Sequence, residues 1–501
     1  MNILISLIFP LLGFILQTYT RIFNKKFGVD VWTRLLETDH VRKAGHKIPG
    51  KIGGQFIIGG YFDYPPIFPF LLSFLSKKAL EKYQGLIAPF FDSLNNLLVF
   101  WTAFYFTKDL RISLFAQAVY TISPVISLEN SSLTPRSLGY LNFNLAFLSS
   151  ILFVDTGNLL FLISSLIFTT LIYLSHRFAM QSLFFVSLFL LAYNRNWFYI
   201  VIFLAGFCLA VLITKGYYLR VLKGHLYNIY FWIPNRDFRF AHQIRGIEKW
   251  TGKKDFVELV YMMLSKFAPL SMIGTNLWVA ASLFILLYKL IPLPFIQLDI
   301  PGFIYFFTLW VVSFYFLGIP ILMTAYLRCI GEGYRYLEMV ALPASIIASW
   351  LFFSLINTQY SLITMLGYAA AFTINFGLIL YVHYKIIRDR NRSVTPEMSE
   401  AFKFLNRQKK IFRILCIPHQ NTTNVLYHTK HQVFVNADNK GLTEVQSVYP
   451  VIKWPLADTI RKYNLNLIFL KESFAKIKEL RLKNYREIFR SGDIILVAVK
   501  A

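Results

Sequence analysis

The sequence predicts an α-helical polytopic membrane protein of about eleven transmembrane helices with a C-terminal soluble α/β domain. Three observations predict it. Of the 501 residues 56% are hydrophobic and 15% charged, with a mean hydropathy of +0.51; a soluble chain is about 45–50% apolar and about 25% charged. Apolar runs near the twenty residues that cross a bilayer recur through residues 1–385. Charge then rises sharply: 31 of the last 116 residues are Lys, Arg, Asp or Glu, against 46 of the first 385. This composition excludes a cytosolic enzyme, a disordered chain, a disulfide scaffold and a repeat solenoid.

Residues 1–20 carry no charge, no basic n-region and no small-residue cleavage site, which predicts a retained first span. Further apolar runs lie near 85–107, 112–128, 137–153, 157–174, 178–193, 196–213, 267–290, 302–325, 336–356 and 361–384. Two polar stretches interrupt the membrane domain 1–385. Residues 21–84 form a long first loop. Residues 214–266 are basic and aromatic and predict an amphipathic interfacial helix. In the tail, 386–501, helices are expected at Pro396–Arg407 and Leu456–Tyr463. Strands are expected at Phe412–Ile417, Gln432–Asn436, Leu465–Leu470 and Asp493–Val499, with a helical stretch between the last two.

The net charge of +25 is spread over loops and tail, with no arginine-rich run and no zinc or helix-turn-helix spacing, so nucleic acid is not an expected partner. Anionic lipid headgroups or phosphate-bearing substrates fit better. Cys208, Cys329 and Cys416 are odd in number and far apart, and make neither a disulfide framework nor a metal cluster. The charges of the short loops do not decide the orientation in the membrane.

Polar groups near membrane depth are costly and mark where chemistry sits. In the first loop, Val31, Leu35 and Val41 share one helical face, while Asp39, Arg42 and Lys43 lie on others. Asp30 stands at the N-terminus of that helix, as an N-cap worth about 0.5–2 kcal/mol or as a reactive carboxylate. The loop closes on Tyr64-Pro65-Pro66, a rigid extended entry that starts a helix. Three further clusters fall between spans: Glu129 to Gly139 with Arg136, His176-Arg177, and Arg328 to Glu338 with Arg335. With an odd number of spans, all these clusters face one side. That face then joins carboxylates (Asp30, Asp39, Glu129) to bases (His40, Arg136, His176, Arg177, Arg335). A carboxylate can take a proton from an attacking hydroxyl, and guanidinium groups can hold a phosphate leaving group. Such a site suits group transfer from a phosphate-activated lipid.

On these residues the sequence resembles the GT-C superfamily of polyprenyl-phosphate-dependent membrane glycosyltransferases, which includes dolichyl-phosphate-mannose transferases and oligosaccharyltransferases. The ordered set is Gly28-Val29-Asp30-Val31-Trp32, Arg42 to Pro49, Tyr64 to Pro69, Leu133 to Gly139, His176-Arg177 and Tyr334 to Glu338. The resemblance covers most of residues 1–385, and the tail is similar to that of some bacterial and archaeal members. It implies an extracytoplasmic active site in a multi-pass inner or plasma membrane protein of cell-envelope glycan biosynthesis. It also implies inverting transfer of a hexosyl or pentosyl group, with Asp30 as general base. Arg136 and Arg335, with His176 and Arg177, would bind the donor phosphate, and Asp39, His40, Tyr64 and Glu129 would touch substrate. The partners implied are a polyprenyl-phosphate sugar, a glycan, lipid or protein acceptor, and membrane lipid. Oligosaccharyltransferase members carry a paired acidic motif after the arginine of the second outer loop, where this chain has Asn142 and Asn144. No resident metal is therefore expected, although Asp39 and Glu129 are carboxylates that could give oxygens to Mg or Mn. The competing class is a transporter or lipid-linked-sugar flippase, with Asp92, Asn95 and Asn96 as a buried polar path; no repeated half supports it.

Overall fold

The computed structural model describes residues 2–28, 30–52, 54–128, 130, 132–239, 241–246, 267–291, 296–435 and 439–500. The chain forms two compact units. One holds Met1–Lys25, Tyr83–Thr214 and Lys253–Arg388; the other holds Lys26–Lys82, Lys215–Gly252 and Asp389–Ala501. Compactness thus groups the chain differently from the linear division at residue 385. The first loop and the stretch after Thr214 join the tail.

The first unit is helical, and every apolar run expected to span falls on helix. Six described helices, counting broken segments as one, are long and apolar enough to cross a membrane: Leu4–Phe23, Arg136–Thr156, Arg177–Asn194, Gly302–Met323, Gly333–Leu355 and Ser361–Arg388. A seventh results if Phe198–Ile213 and Tyr217–Phe238, bent by 120°, are one span. The other expected runs are shorter, broken or more polar. The run at 112–128 breaks at Ser123-Pro124 into Leu110–Thr121 and Pro124–Ser127. The run at 267–290 breaks at Asn276, whose side chain accepts from the Trp278 amide. Small and polar side chains bring these helices together, because van der Waals packing and hydrogen bonds replace the hydrophobic effect within lipid. Ser149 and Ser150 pair with Ser164 and Ser165 at 2.9 and 2.6 Å across helices Arg136–Thr156 and Leu159–Ser175. Phe143, Phe147, Trp310 and Phe314 form an aromatic core.

The second unit is built on a six-stranded sheet. Its strands are β1 (Phe56–Ile58), β2 (Arg413–Ile417), β3 (Gln432–Val435), β4 (Leu467–Lys471), β5 (Tyr485–Ser491) and β6 (Ile494–Val499), in the order β1-β3-β2-β4-β6-β5. β1, β3, β2 and β4 are parallel; β6 and β5 complete the sheet antiparallel. One face buries Leu415, Ile417, Ile468, Leu470, Ile495 and Val497. On the other, Phe402 of helix Pro396–Arg407 stacks on Phe469.

Two expectations for the tail need correction. Residues 485–491 are a strand, not helix: a two-residue turn with Gly492 at φ +53° folds β5 back on β6. β1 comes from the first loop, whose Phe56 and Ile58 register with Val433 and Val435. His431 is buried and His428 half-buried. The His431 ring bonds the Leu405 carbonyl at 2.8 Å and accepts from the Phe412 amide, and His428 packs on Trp32 and Phe402.

Candidate active site

In the second unit, helix Asp30–Lys43 packs on Ile67–Ser73 and on Thr422–His428, with Val31, Leu35 and Val41 buried as the sequence pattern predicts. Asp30 is its first residue and its side chain is exposed. One turn on, Arg34 is nearly enclosed. Its Nη1 donates to Glu37 Oε2 at 2.6 Å, and its guanidinium lies 3.9 Å from the centre of the Tyr64 ring. Burial disfavours the Arg34 cation, but Glu37 first, then Tyr64 and Asp30, outweigh it and raise its pKa. Asp30, Arg34, Glu37 and Tyr64 therefore form one electrostatic group, of which the sequence reading had only the outer two.

Asp39 and His40 have partners of their own. Asp39 is clamped by Arg42 at 3.1 Å and Lys43 at 2.8 Å. Burial would raise its pKa, but the bond from Lys43 and the nearby cations hold it below the ordinary carboxylate value. His40 Nε2 lies 3.2 Å from Gln55 Oε1, next to β1, and burial lowers its pKa. Tyr64 leads into Pro66, which caps helix Ile67–Ser73 as the double proline predicts.

In the first unit, Arg136 opens its helix and its Nη1 lies 3.7 Å from Oε1 of Glu338, a carboxylate that is 3% exposed. Arg335 Nε lies 2.9 Å from Glu332 Oε2. Gly333–Val340 is a 3-10 helix, in which residues three apart eclipse. Glu332, Arg335 and Glu338 thus line one edge, with Arg136 at its end. The turn before it is held by Gln181, which donates to the Ile330 carbonyl at 2.6 Å and bonds the Tyr336 hydroxyl. His176 lies between helices Leu159–Ser175 and Arg177–Asn194, edge-on to Tyr140; Arg177 is half-buried beside it. Glu129 lies outside the described residues.

Glu338, Arg34 and Glu37 join the site only in the folded chain. An opposite-charge pair three apart on a helix was the available signal for the latter two. Asp92, Asn95 and Asn96 serve helix packing. Asp92 accepts from Gln17 at 2.5 Å and Tyr120 at 2.8 Å, Asn95 accepts from Asn144, and Asn96 donates to Thr121. Asn142 reaches Ser175 Oγ at 3.3 Å. Asn142 and Asn144 are thus helix-to-helix amides, and among the described residues no three His, Cys, Asp or Glu converge as a metal site.

No protein-family model matches the chain, and no curated protein matches it. Solved structures do. The Archaeoglobus fulgidus oligosaccharyltransferase, in complex with Zn and sulfate, aligns over 92% of this chain and 67% of its own, with a TM-score of 0.57 at 10% identity. ArnT from Cupriavidus metallidurans bound to undecaprenyl phosphate aligns over 98% and 97%, with a TM-score of 0.54 at 11% identity; its apo state gives 0.52 at 10%. The chain therefore shares the overall fold of these structures.

Proposed function

We propose that this chain is an integral-membrane glycosyltransferase of GT-C type, moving a sugar from a polyprenyl-phosphate donor to an extracytoplasmic acceptor with inversion. The observation that carries this reading is the likeness, over 98% of the chain, to a structure holding undecaprenyl phosphate. Asp30 takes the proton of the acceptor hydroxyl while that oxygen attacks the anomeric carbon. The bond from that carbon to the phosphate oxygen breaks, and its electron pair leaves with the phosphate. The transition state resembles an oxocarbenium ion, as in glycoside cleavage. Arg136 and Arg335, with His176 and Arg177, balance the charge gathering on the phosphate. Each arginine stands beside a carboxylate, and a guanidinium carries five N–H donors in a fork that suits phosphate oxygens. Glu332 and Glu338 fix where the two cations stand. Arg34, anchored by Glu37 and seated on Tyr64, sets the field around Asp30. Asp39, His40 and Glu129 are further candidates for substrate contact.

The test is turnover of a panel of polyprenyl-phosphate sugars by purified protein, wild type beside Asp30→Asn. Transfer should fall by about 10²–10⁴ with the fold retained; undiminished turnover in the variant sinks the assignment.

A further inference from the structure

The second unit contains a cavity of about 560 Å³ that none of the residues assigned above lines. Its volume lies within the roughly 300–1,000 Å³ of small-ligand sites. Its walls are the loop carrying Gly50, Lys51, Tyr61 and Asp63, the helix Tyr217–Asn235, and Lys440 of the helix Asn439–Glu444.

These walls are built against one another. Helix Tyr217–Asn235 lies so close to the loop that a Cβ on Gly224 would stand 2.8 Å from the Asp63 carbonyl oxygen. The Tyr217 hydroxyl donates to the Phe62 carbonyl at 2.6 Å. Buried Asp63 accepts from the Lys440 amide at 3.2 Å, which ties the third wall to the first.

Four basic residues line this space: Lys51, Arg220, Lys223 and Lys440. Among the described residues none of them forms an ion pair with a carboxylate. Lys51 Nζ and Lys440 Nζ lie 4.6 and 4.3 Å from the centre of the same Tyr61 ring. Lys223 Nζ lies 5.8 Å from the Tyr227 ring. The Arg220 guanidinium packs on Gly50, where an added Cβ would come within 3.0 Å of its Nη1. The lining also holds one carboxylate, Asp63, which accepts from the Lys440 amide. Four cations outnumber the one carboxylate of the lining, and a polyanion in the cavity would relieve the repulsion among them.

We infer that this cavity binds the phosphate of a phosphomonoester-bearing acceptor. A phosphomonoester carries close to two negative charges and three acceptor oxygens, which suits several cations around one space better than a single carboxylate does. The chemistry is shared by a phosphorylated saccharide and a phosphorylated lipid headgroup. The acceptor role rests on the transferase reading above; the anion site does not.

The experiment is isothermal titration of the full chain in detergent with glucose 1-phosphate, with dihexanoyl phosphatidic acid, and with glucose as control. One phosphate probe should bind, and glucose should not. Binding should weaken about tenfold or more in Lys51→Gln/Lys440→Gln and in Arg220→Gln/Lys223→Gln. The four side chains lie at the cavity surface, and an unchanged melting midpoint verifies that the variants fold. Preference for the sugar phosphate names a saccharide acceptor, and preference for the lipid phosphate names a lipid one. No binding of either probe, or binding equal in the double variants, overturns the inference. Asp30→Asn should lose turnover and keep binding. Retained turnover there would remove the transferase reading and leave the anion site standing.

Discussion

Arg136 and Glu338 put the sharpest question at the scale of single residues. A buried carboxylate left without its cation costs about 3–5 kcal/mol, whereas replacing both partners by apolar groups is often neutral. Arg136→Ala should therefore lower stability by about 3 kcal/mol. The double variant Arg136→Met/Glu338→Leu should recover most of that in a denaturation series. If Arg136 acts on the donor phosphate, the double variant recovers its fold without recovering turnover; recovery of both would make Arg136 a structural residue. Asp30 differs, since its side chain is exposed, and Asp30→Asn should change rate and not melting temperature. Arg136, Arg335 and Asp30 stand out in the sequence as charges beside apolar runs. The Arg136–Glu338 pair was not readable, because two distant segments meet only when helices pack.

At the scale of elements, helix Arg136–Thr156 depends on Gly139. A Cβ there would sit 2.5 Å from the Cβ of His176, so the helix comes close to the link between Leu159–Ser175 and Arg177–Asn194 only because Gly139 has no side chain. Gly139→Ala should destabilise by about 1–3 kcal/mol through overpacking, measured by denaturant unfolding in detergent. It should also disturb the placing of His176 and Arg177; unchanged stability would show that the contact is loose. The helix at 30–43 was legible from its apolar spacing alone, as were most tail strands. β5 was not, because it is an edge strand whose burial pattern is mostly exposed or half-exposed and gives little apolar alternation to read. β1 is three residues long and acquires its identity only from its partner.

At the scale of the whole molecule, the second unit carries its own pH response. Burial pushes His419 from 6.5 down to about 4; burial, then Lys26 and Lys77, does the same to His428. The folded chain keeps both neutral, while the unfolded chain takes up protons below about 6.5. Stability from these groups is complete above pH 6.5 and is lost as pH falls from about 6.5 to about 4. Hydrogen exchange over residues 389–501 should show protection falling through that window, and the paired change His419→Gln/His428→Gln should flatten the fall. An equal slope in wild type and variant would place the response elsewhere.

Composition and the spacing of apolar and charged residues determined by themselves that this is a helical membrane protein with a polar tail. They also singled out Asp30 and the arginines, because crossing a bilayer demands long apolar runs and makes every interruption conspicuous. Tertiary structure alone decided that residues 56–58 complete the tail's sheet, that Asp92 serves packing, and that Arg136 stands against Glu338. It alone gathered four cations around one cavity. Each of these joins segments far apart in the chain, and a local pattern carries no record of partners chosen by packing.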